Sequence, residues 1–488
     1  MRSDKKKKKT TKFSQFAKGW SIIYLLAVFA FVGYLIYANL LSPKYLLIAA
    51  GVITALTLIT FPALYFKNFK KSRKIACFVF SLLFMAGYAV GAVYLSGTLD
   101  FFSTITETRV QTEDYYILVK ADSTHEEIAE LQGETVRTYL TNDLTYSEAK
   151  NKLQEEQKVN YEMVENLSTL VEGVSDGTFD SIFISAAHYN LACEEHATFK
   201  EDSKVLYTVK IETKPKDISK TVDVTKESFN VFISGLDIEG SIDATSRSDV
   251  NMIATVNPVT HTVLLTSIPR DYLINLPSKE NALDKLTHTG IYGIGETVGA
   301  VEKLMGIDIN YYVKVNYTTV TKFVDGIGGI EVDSDFAFTT HGQQVYFSYN
   351  EGINYLDGAH ALAFARERKS FTDGDVQRNK NQQKIVAAIL KKATSSTTLL
   401  TQYTSILNSI EDNIELNMTS DDIKNLVKMQ LDEMPSWKIR SQSVHGEGDM
   451  AVCYSTGDYL VSVMDPDQES IIKAIDKIVA VMDGTTKK

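Results

Sequence analysis

FNVFISGL, residues 229 to 236, is an apolar run of strand length that stops abruptly at Asp237. Two more such runs follow, VNMIATV at 250 to 256 and TVLLTSI at 262 to 268, joined by Asn257, Pro258, Val259, Thr260 and His261. A connection this short and this rich in turn-forming residues predicts a hairpin. Helical patterns at 294 to 304, 360 to 365, 376 to 392, 420 to 433 and 468 to 482 then alternate with strand-like YYVKVNY and WKIRSQSV. Residues 229 to 488 are therefore expected to form one α/β domain, a sheet covered by helices.

Working back from this domain, 213 to 228 is polar and charged with a single proline, Pro215, and reads as a linker. Before it, DYYILVKA from Asp114, SIFIS at 181 to 185 and VLYTVKI at 205 to 211 read as strands. Residues 123 to 131 open like a helix with a serine cap, and a longer helical pattern covers 146 to 170. Residues 110 to 212 are thus expected to be a small α/β accessory domain, and they contain no catalytic cluster.

The first 98 residues differ in kind. Runs at 20 to 40, 45 to 66 and 75 to 96 contain no charged residue, and each is near the roughly 20 residues a membrane-spanning helix needs. A cleaved signal peptide fits poorly, because the first run is too long for one and two further spans follow. Residues 1 to 98 carry 14 Lys plus Arg against one acid, Asp4; this +13 leaves the rest of the chain at −24, given a total of −11. The basic residues concentrate in the leader, 1 to 19, and in the loop from Lys67 to Lys74, whereas the first loop holds Lys44 alone. The positive-inside rule then puts the leader in the cytoplasm, the spans at 20 to 97, and the accessory and C-terminal domains outside. An outer portion this acidic disfavours nucleic acid as a partner. Of the three cysteines, Cys77 lies in the third span, and Cys193 and Cys453 lie outside, where a disulfide between them is an open option.

Two groups of residues could carry chemistry. If Asn257 pairs with Thr262, the same hairpin register sets Asp249 opposite Arg270. Arg247 is two residues before Asp249, and Asp237 ends the neighbouring strand, so two carboxylates and two arginines could meet at one sheet edge. Such oxygen ligands suit Mg²⁺; the competing reading is an ordinary ion pair at a strand end. The second group is ARERKSFTDGDVQRNKNQ, 365 to 382. Arg366 and Arg368 share one side of an extended segment, and Asp375, Arg378, Gln382 and Ile385 follow the spacing of one helix face. Guanidinium forks match phosphate oxygens, so closely placed arginines with an amide suit a pyrophosphate. Alternatively, Asp375 caps the helix and the arginines decorate a solvated face. The glycines at 290, 293, 295 and 299 fail the dinucleotide spacing. The scattered histidines and cysteines do not make a zinc pattern, and no GxSxG elbow is present.

In their order along the chain, Leu236-Asp237, Ser246 to Asp249, SIPRD at 267 to 271, DGIGGIEVD at 325 to 333, LDGAHAL at 356 to 362, Arg366 with Arg368, and DVQRNKNQ at 375 to 382 resemble the LytR-CpsA-Psr family. The three spans and accessory domain look like its capsule-associated branch. The resemblance covers roughly 228 to 395, with core motifs at 229 to 395, and implies an α-β-α domain with a central mixed sheet. It implies a phosphotransferase that moves a glycopolymer, capsular polysaccharide or related, from an undecaprenyl-pyrophosphate carrier to peptidoglycan with Mg²⁺, or Mn²⁺ in its place. Matched residue by residue, Asp237 and Asp249 would be metal ligands. Arg247, Arg270, Arg366, Arg368, Arg378 and Gln382 would surround the pyrophosphate, with Asp249, Arg270 and Asp375 as catalytic positions and Lys303 as a further phosphate ligand. Capsule-synthesis proteins are expected partners beside the lipid-linked polymer, peptidoglycan and the membrane. THTGIYGIGET, 287 to 297, departs from the family's Asn-Ala-Ala-like helix start, which puts the local pocket geometry in question. Two rivals use the same site: a polyprenyl-pyrophosphate phosphatase, and a non-enzymatic sensor of lipid-linked polymer that regulates capsule synthesis.

Overall fold

In a computed structural model the described residues are 12–107, 110–139, 141, 143–236, 242–243, 245–341, 345–395 and 413–485. They divide into two compact units, residues 1–104 with 420–435, and residues 105–419 with 436–488.

The first unit holds three helices long and apolar enough to cross a membrane, Lys12–Ala38, Pro43–Tyr65 and Lys71–Thr106. The third runs ten residues beyond its expected end at 96, since SGTLDFFSTIT contains no proline to stop it and buries Phe101 and Phe102. An amphipathic helix, Ser420–Glu433, packs on the ends of these three: Lys428 Nζ donates to Asn39 Oδ1 at 2.8 Å, Tyr45 Oη to the Leu431 carbonyl at 3.3 Å, and Ser420 Oγ to the Phe102 carbonyl at 3.2 Å.

The second unit contains two large sheets. The larger has strand order Ile414–Leu416, Tyr311–Asn316, Phe229–Leu236, Ser248–Asn257, Thr262–Ile268, Lys438–Ser443. It is mixed: Tyr311–Asn316 runs parallel to Phe229–Leu236, which runs antiparallel to Ser248–Asn257. Period-two alternation of side chains explains the layering. Ile253 faces a core with Val298, Val301, Ile471 and Ile478, from helices Ile294–Met305 and Gln468–Met482. Its neighbours Met252 and Ala254 face Val386, Ala387 and Leu390 of helix Gly374–Ala393. Helices thus cover both faces, and every residue of the inner strand Thr262–Ile268 is buried.

The accessory sheet has strand order Asn160–Val164, Thr135–Tyr139, Ser181–Ser185, Gln111–Lys120, Ser203–Thr213. Two expected helices differ here. The 146 to 170 pattern is two helices, Leu144–Glu156 and Leu167–Asp176, separated by strand Asn160–Val164. Val159, Asn160 and Tyr161 are poor helix formers, the strand pairs in parallel with Thr135–Tyr139, and the Asn166 side chain caps the next helix through Thr169 N at 2.9 Å. At 123 to 131 a single 3₁₀ turn forms, Ile128–Leu131, which ends before Gly133 at φ 81°. Between the sheets, Lys220 in the 213 to 228 segment bonds Asp308 at 2.6 Å and donates its backbone N–H to the Asn310 carbonyl, so this stretch lies against the larger domain. Lys279 and Asp143 approach to 3.9 Å, and Asn166 donates to Asp458 at 2.5 Å, across the seam of the two domains. Among the described residues Cys77, Cys193 and Cys453 are all free thiols.

Candidate active site

The hairpin forms in the expected register, Asn257 against Thr262 through Asn251 against Ile268. At its open end Arg270 Nη1 donates to Asp249 Oδ2 at 2.8 Å. Thr287 Oγ1 donates to the other carboxylate oxygen at 2.8 Å. The Asp249 side chain is 12 % exposed and that of Arg270 21 %, so this is no solvated strand-end pair. Burial alone would favour the neutral acid, but Arg270, Arg247 and the Thr287 hydrogen bond outweigh it and hold Asp249 below the usual carboxylate range. Arg247, two residues earlier, lines the same cavity as Asp249.

The second cluster meets the first. Helix Gly358–Arg366 ends where the spacing predicts, and Arg366, Arg368, Arg378 and Gln382 line one cavity with Arg247, Asp249 and Arg270. The Arg366 guanidinium lies 4.2 Å above the Tyr317 ring, a cation–π contact that fixes its direction. Asp375 is not in the cavity wall. It braces two of the arginines instead, accepting from Arg378 Nη2 at 2.9 Å and lying 3.5 Å from Arg368 Nη1. Gly374 lets this happen, because a Cβ there would come within 2.7 Å of the Arg368 carbonyl oxygen. Burial, and then repulsion by Arg270, lower the pKa of Arg378, and among the described residues its buried Nε–H has no hydrogen-bond acceptor. A cationic pocket of this kind gains by taking up an anion.

The cavity has a volume of about 440 Å³. Beside the arginines its wall contains the apolar side chains of Ile233, Val250, Val315, Val320, Leu362 and Val386, from the sheet and its helices.

Three contacting residues were not legible as such. Thr287 lies in the stretch that departs from the family pattern, which forms a 3₁₀ helix, Leu286–Tyr292, before helix Ile294–Met305 starts at Gly293. Glu194 comes from the accessory domain and accepts from Arg247 Nη1 at 2.5 Å. Tyr317 opens the helix after strand Tyr311–Asn316. Nothing in their local spacing marks them. Lys303, expected near the phosphates, bonds the Asn281 side chain and does not line the cavity. Asp237 lies outside the described residues.

Among the described residues no group of three or more His, Cys, Asp or Glu is placed to hold a metal. Mg²⁺ is commonly held by one or two carboxylates together with substrate phosphates, and Asp249 in the wall of an arginine cavity fits that partial role.

The model of the LytR_cpsA_psr family matches residues 182–474. Over 211 residues the chain is 33 % identical to the polyisoprenyl-teichoic acid–peptidoglycan teichoic acid transferase TagU of Bacillus mycoides, covering 43 % of this chain and 67 % of that one. It is 30 % identical over 254 residues to TagU of Enterococcus faecalis, covering 48 % and 80 %. Among solved structures, TagV of Bacillus subtilis aligns with a TM-score of 0.45 and 26 % identity, covering 53 % of this chain and 98 % of that one. With the family match spanning more than half of its length, and with residues of most of the motifs lining one cavity, the chain belongs to the LytR-CpsA-Psr family.

Proposed function

We propose that this protein is a membrane-anchored phosphotransferase that moves a capsular polysaccharide or related glycopolymer from a polyprenyl-pyrophosphate carrier to peptidoglycan. The observation that carries this reading is the cavity lined by both arginines and apolar side chains. Arginines fit a pyrophosphate, and the apolar side chains in the same wall fit the first units of a polyprenyl chain. The similar TagU proteins, named for transfer of polyisoprenyl-linked teichoic acid to peptidoglycan, support the transfer chemistry. The basic leader and the Lys67 to Lys74 loop support an arrangement with both folded domains outside.

In the reaction a hydroxyl of the wall polymer attacks the sugar-linked phosphorus, the bond to the bridging oxygen breaks, polyprenyl monophosphate leaves, and the hydroxyl proton passes to that leaving phosphate or to solvent. Arg247, Arg270, Arg366, Arg368 and Arg378 would offset charge on the non-bridging and leaving oxygens, with Gln382 as a neutral donor. Mg²⁺, held by Asp249 with Asp237 as a second expected ligand, would add Lewis-acid neutralisation of the phosphoryl oxygens when bound. Both oxygens of Asp249 already accept hydrogen bonds, and its pKa is lowered, which weighs toward aiming Arg270 and away from strong basicity. Asp375, bound to Arg378, aims that arginine in the same way.

The test is to incubate the full chain in lipid nanodiscs with Mg²⁺, a polyprenyl-pyrophosphate oligosaccharide and peptidoglycan oligomers. A phosphodiester conjugate is expected. Release of free phosphorylated sugar would point to a phosphatase, and tight binding with neither product to a sensor.

A further inference from the structure

A second cavity, also of about 440 Å³, lies at the seam between the accessory domain and the larger domain. The accessory side supplies Glu113, Asp114, Tyr116 and Asn190; the other side supplies Thr245 and Ser246. It adjoins the arginine cavity closely. Ser246 lines one and the next residue, Arg247, the other; on helix Ala186–Glu195, Asn190 lines one and Glu194, a single turn on, the other. Seams between domains are where small-ligand clefts of this size tend to form.

Its chemistry is unlike that of the arginine cavity. Carboxylates, an amide and hydroxyls dominate, and the one lysine in the wall among the described residues, Lys210, is held 3.3 Å from Asp114. Glu113 accepts from the Tyr115 hydroxyl at 2.7 Å, and Tyr116 is half-buried against the Tyr189 ring. With its lysine already paired, such a wall offers little to a phosphate-rich or uronate chain. It offers acceptors for hydroxyl and amide N–H donors, with tyrosine rings as an apolar backing.

We propose that this cleft is a saccharide subsite that takes an uncharged, hydroxyl- and acetamido-bearing sugar chain and leads it to the phosphate cavity. The proposal rests on the reading of the arginine cavity as a pyrophosphate site. The sugar could belong to the donor polymer or to the acceptor glycan, whose chemistry is shared. The accessory domain then has a direct part in the transfer: it forms one wall of the subsite.

The experiment uses the full chain in nanodiscs, with N-acetylglucosamine tetramer as the saccharide and a short polyprenyl pyrophosphate as the lipid probe. Saturable tetramer binding is expected, undisturbed by a poly(glycerol phosphate) competitor. Asn190 is exposed, so Asn190→Trp should fill the cleft without unfolding the protein, which thermal melting would verify. It should weaken tetramer binding by about tenfold or more, on the order of 1.4 kcal/mol, and leave polyprenyl-pyrophosphate binding unchanged. Displacement of the tetramer by a lipid-linked oligosaccharide would assign the subsite to the donor, and joint binding would assign it to the acceptor. Absence of tetramer binding, equal binding by the folded variant, or displacement by poly(glycerol phosphate) would overturn the proposal. Failure of the unaltered protein to bind polyprenyl pyrophosphate would strike the pyrophosphate reading instead, while the tetramer result still decides the cleft.

Discussion

Asp249 concentrates the electrostatics of the site in one side chain. It accepts from Arg270 and from Thr287, and it is largely buried. Asp249→Ala leaves Arg270 buried beside Arg378 with one counter-charge fewer, and breaking such a pair costs about 3 kcal/mol. Chemical denaturation should register that loss, and conjugate formation should fall to background. The sign of the pH dependence follows from the lowered pKa. The contribution of Asp249 to stability is complete above its unfolded value, about 3.9, and is lost as pH falls through the lower folded value. Acid unfolding of Asp249→Asn should therefore lack this component below about pH 4. Glu194 has the opposite relation to the site, since it occupies Arg247 with a carboxylate that a phosphate would have to replace. Glu194→Gln should tighten polyprenyl-pyrophosphate binding by roughly twofold to fivefold, the scale of a half-exposed ion pair. Calorimetric titration would detect it, and unchanged or weaker binding would remove Glu194 from the site.

Among the elements, the 3₁₀ helix Leu286–Tyr292 matters most, because it packs against the backbone of Ser246 to Ser248, beside Asp249. A Cβ at Gly290 would lie 2.3 Å from the Ser246 carbonyl oxygen and 2.8 Å from Ser248 N. Both are backbone atoms and cannot swing aside. Gly290→Ala should cost about 1–3 kcal/mol and displace the Arg247 and Asp249 side chains. Pyrophosphate affinity and melting temperature should fall together; a loss of stability with full affinity would show that the strand does not move. Helix Ala186–Glu195 makes a second prediction. His188 on it is buried, bonded to Ser185 Oγ at 2.7 Å, and held down to about pKa 4 by desolvation. The unfolded chain takes up this proton below about pH 6.5 while the fold refuses it, so stability should decline between about pH 6.5 and pH 4, by about 3 kcal/mol in all. His188→Gln should flatten that part of the pH–stability curve.

For the whole molecule, three apolar helices precede the folded domains. If their part is to keep the protein on the membrane that holds the lipid carrier, an unrelated single span that preserves the proposed topology should keep most of the activity. Arg270→Ala in that chimera should abolish it. Loss of conjugate formation in the chimera itself, with the outer domains still folded, would give the native spans a specific role. The packing of helix Ser420–Glu433 on their ends, through Lys428, Tyr45 and Ser420, marks where such a role would reside.

Much of this was legible in the sequence because it depends on short-range regularities. Span lengths, the hairpin register that joins Asp249 to Arg270, and the face shared by Arg378, Gln382 and Ile385 all follow from periodicities of the chain. The strand at Asn160–Val164 was not legible, since its identity comes from a partner at Thr135–Tyr139 that local propensity does not encode. Thr287 and Glu194 reach the site from segments far from Asp249 and Arg247 in sequence. Asp375, on the right helix face, braces arginines and does not line the cavity. The cavity lined by both arginines and apolar side chains, and the second cavity beside it, exist because separate elements close around space. The sequence determined which residues could act; only tertiary packing decided which of them face one another, because side-chain encounters across long loops depend on the relative placement of whole elements.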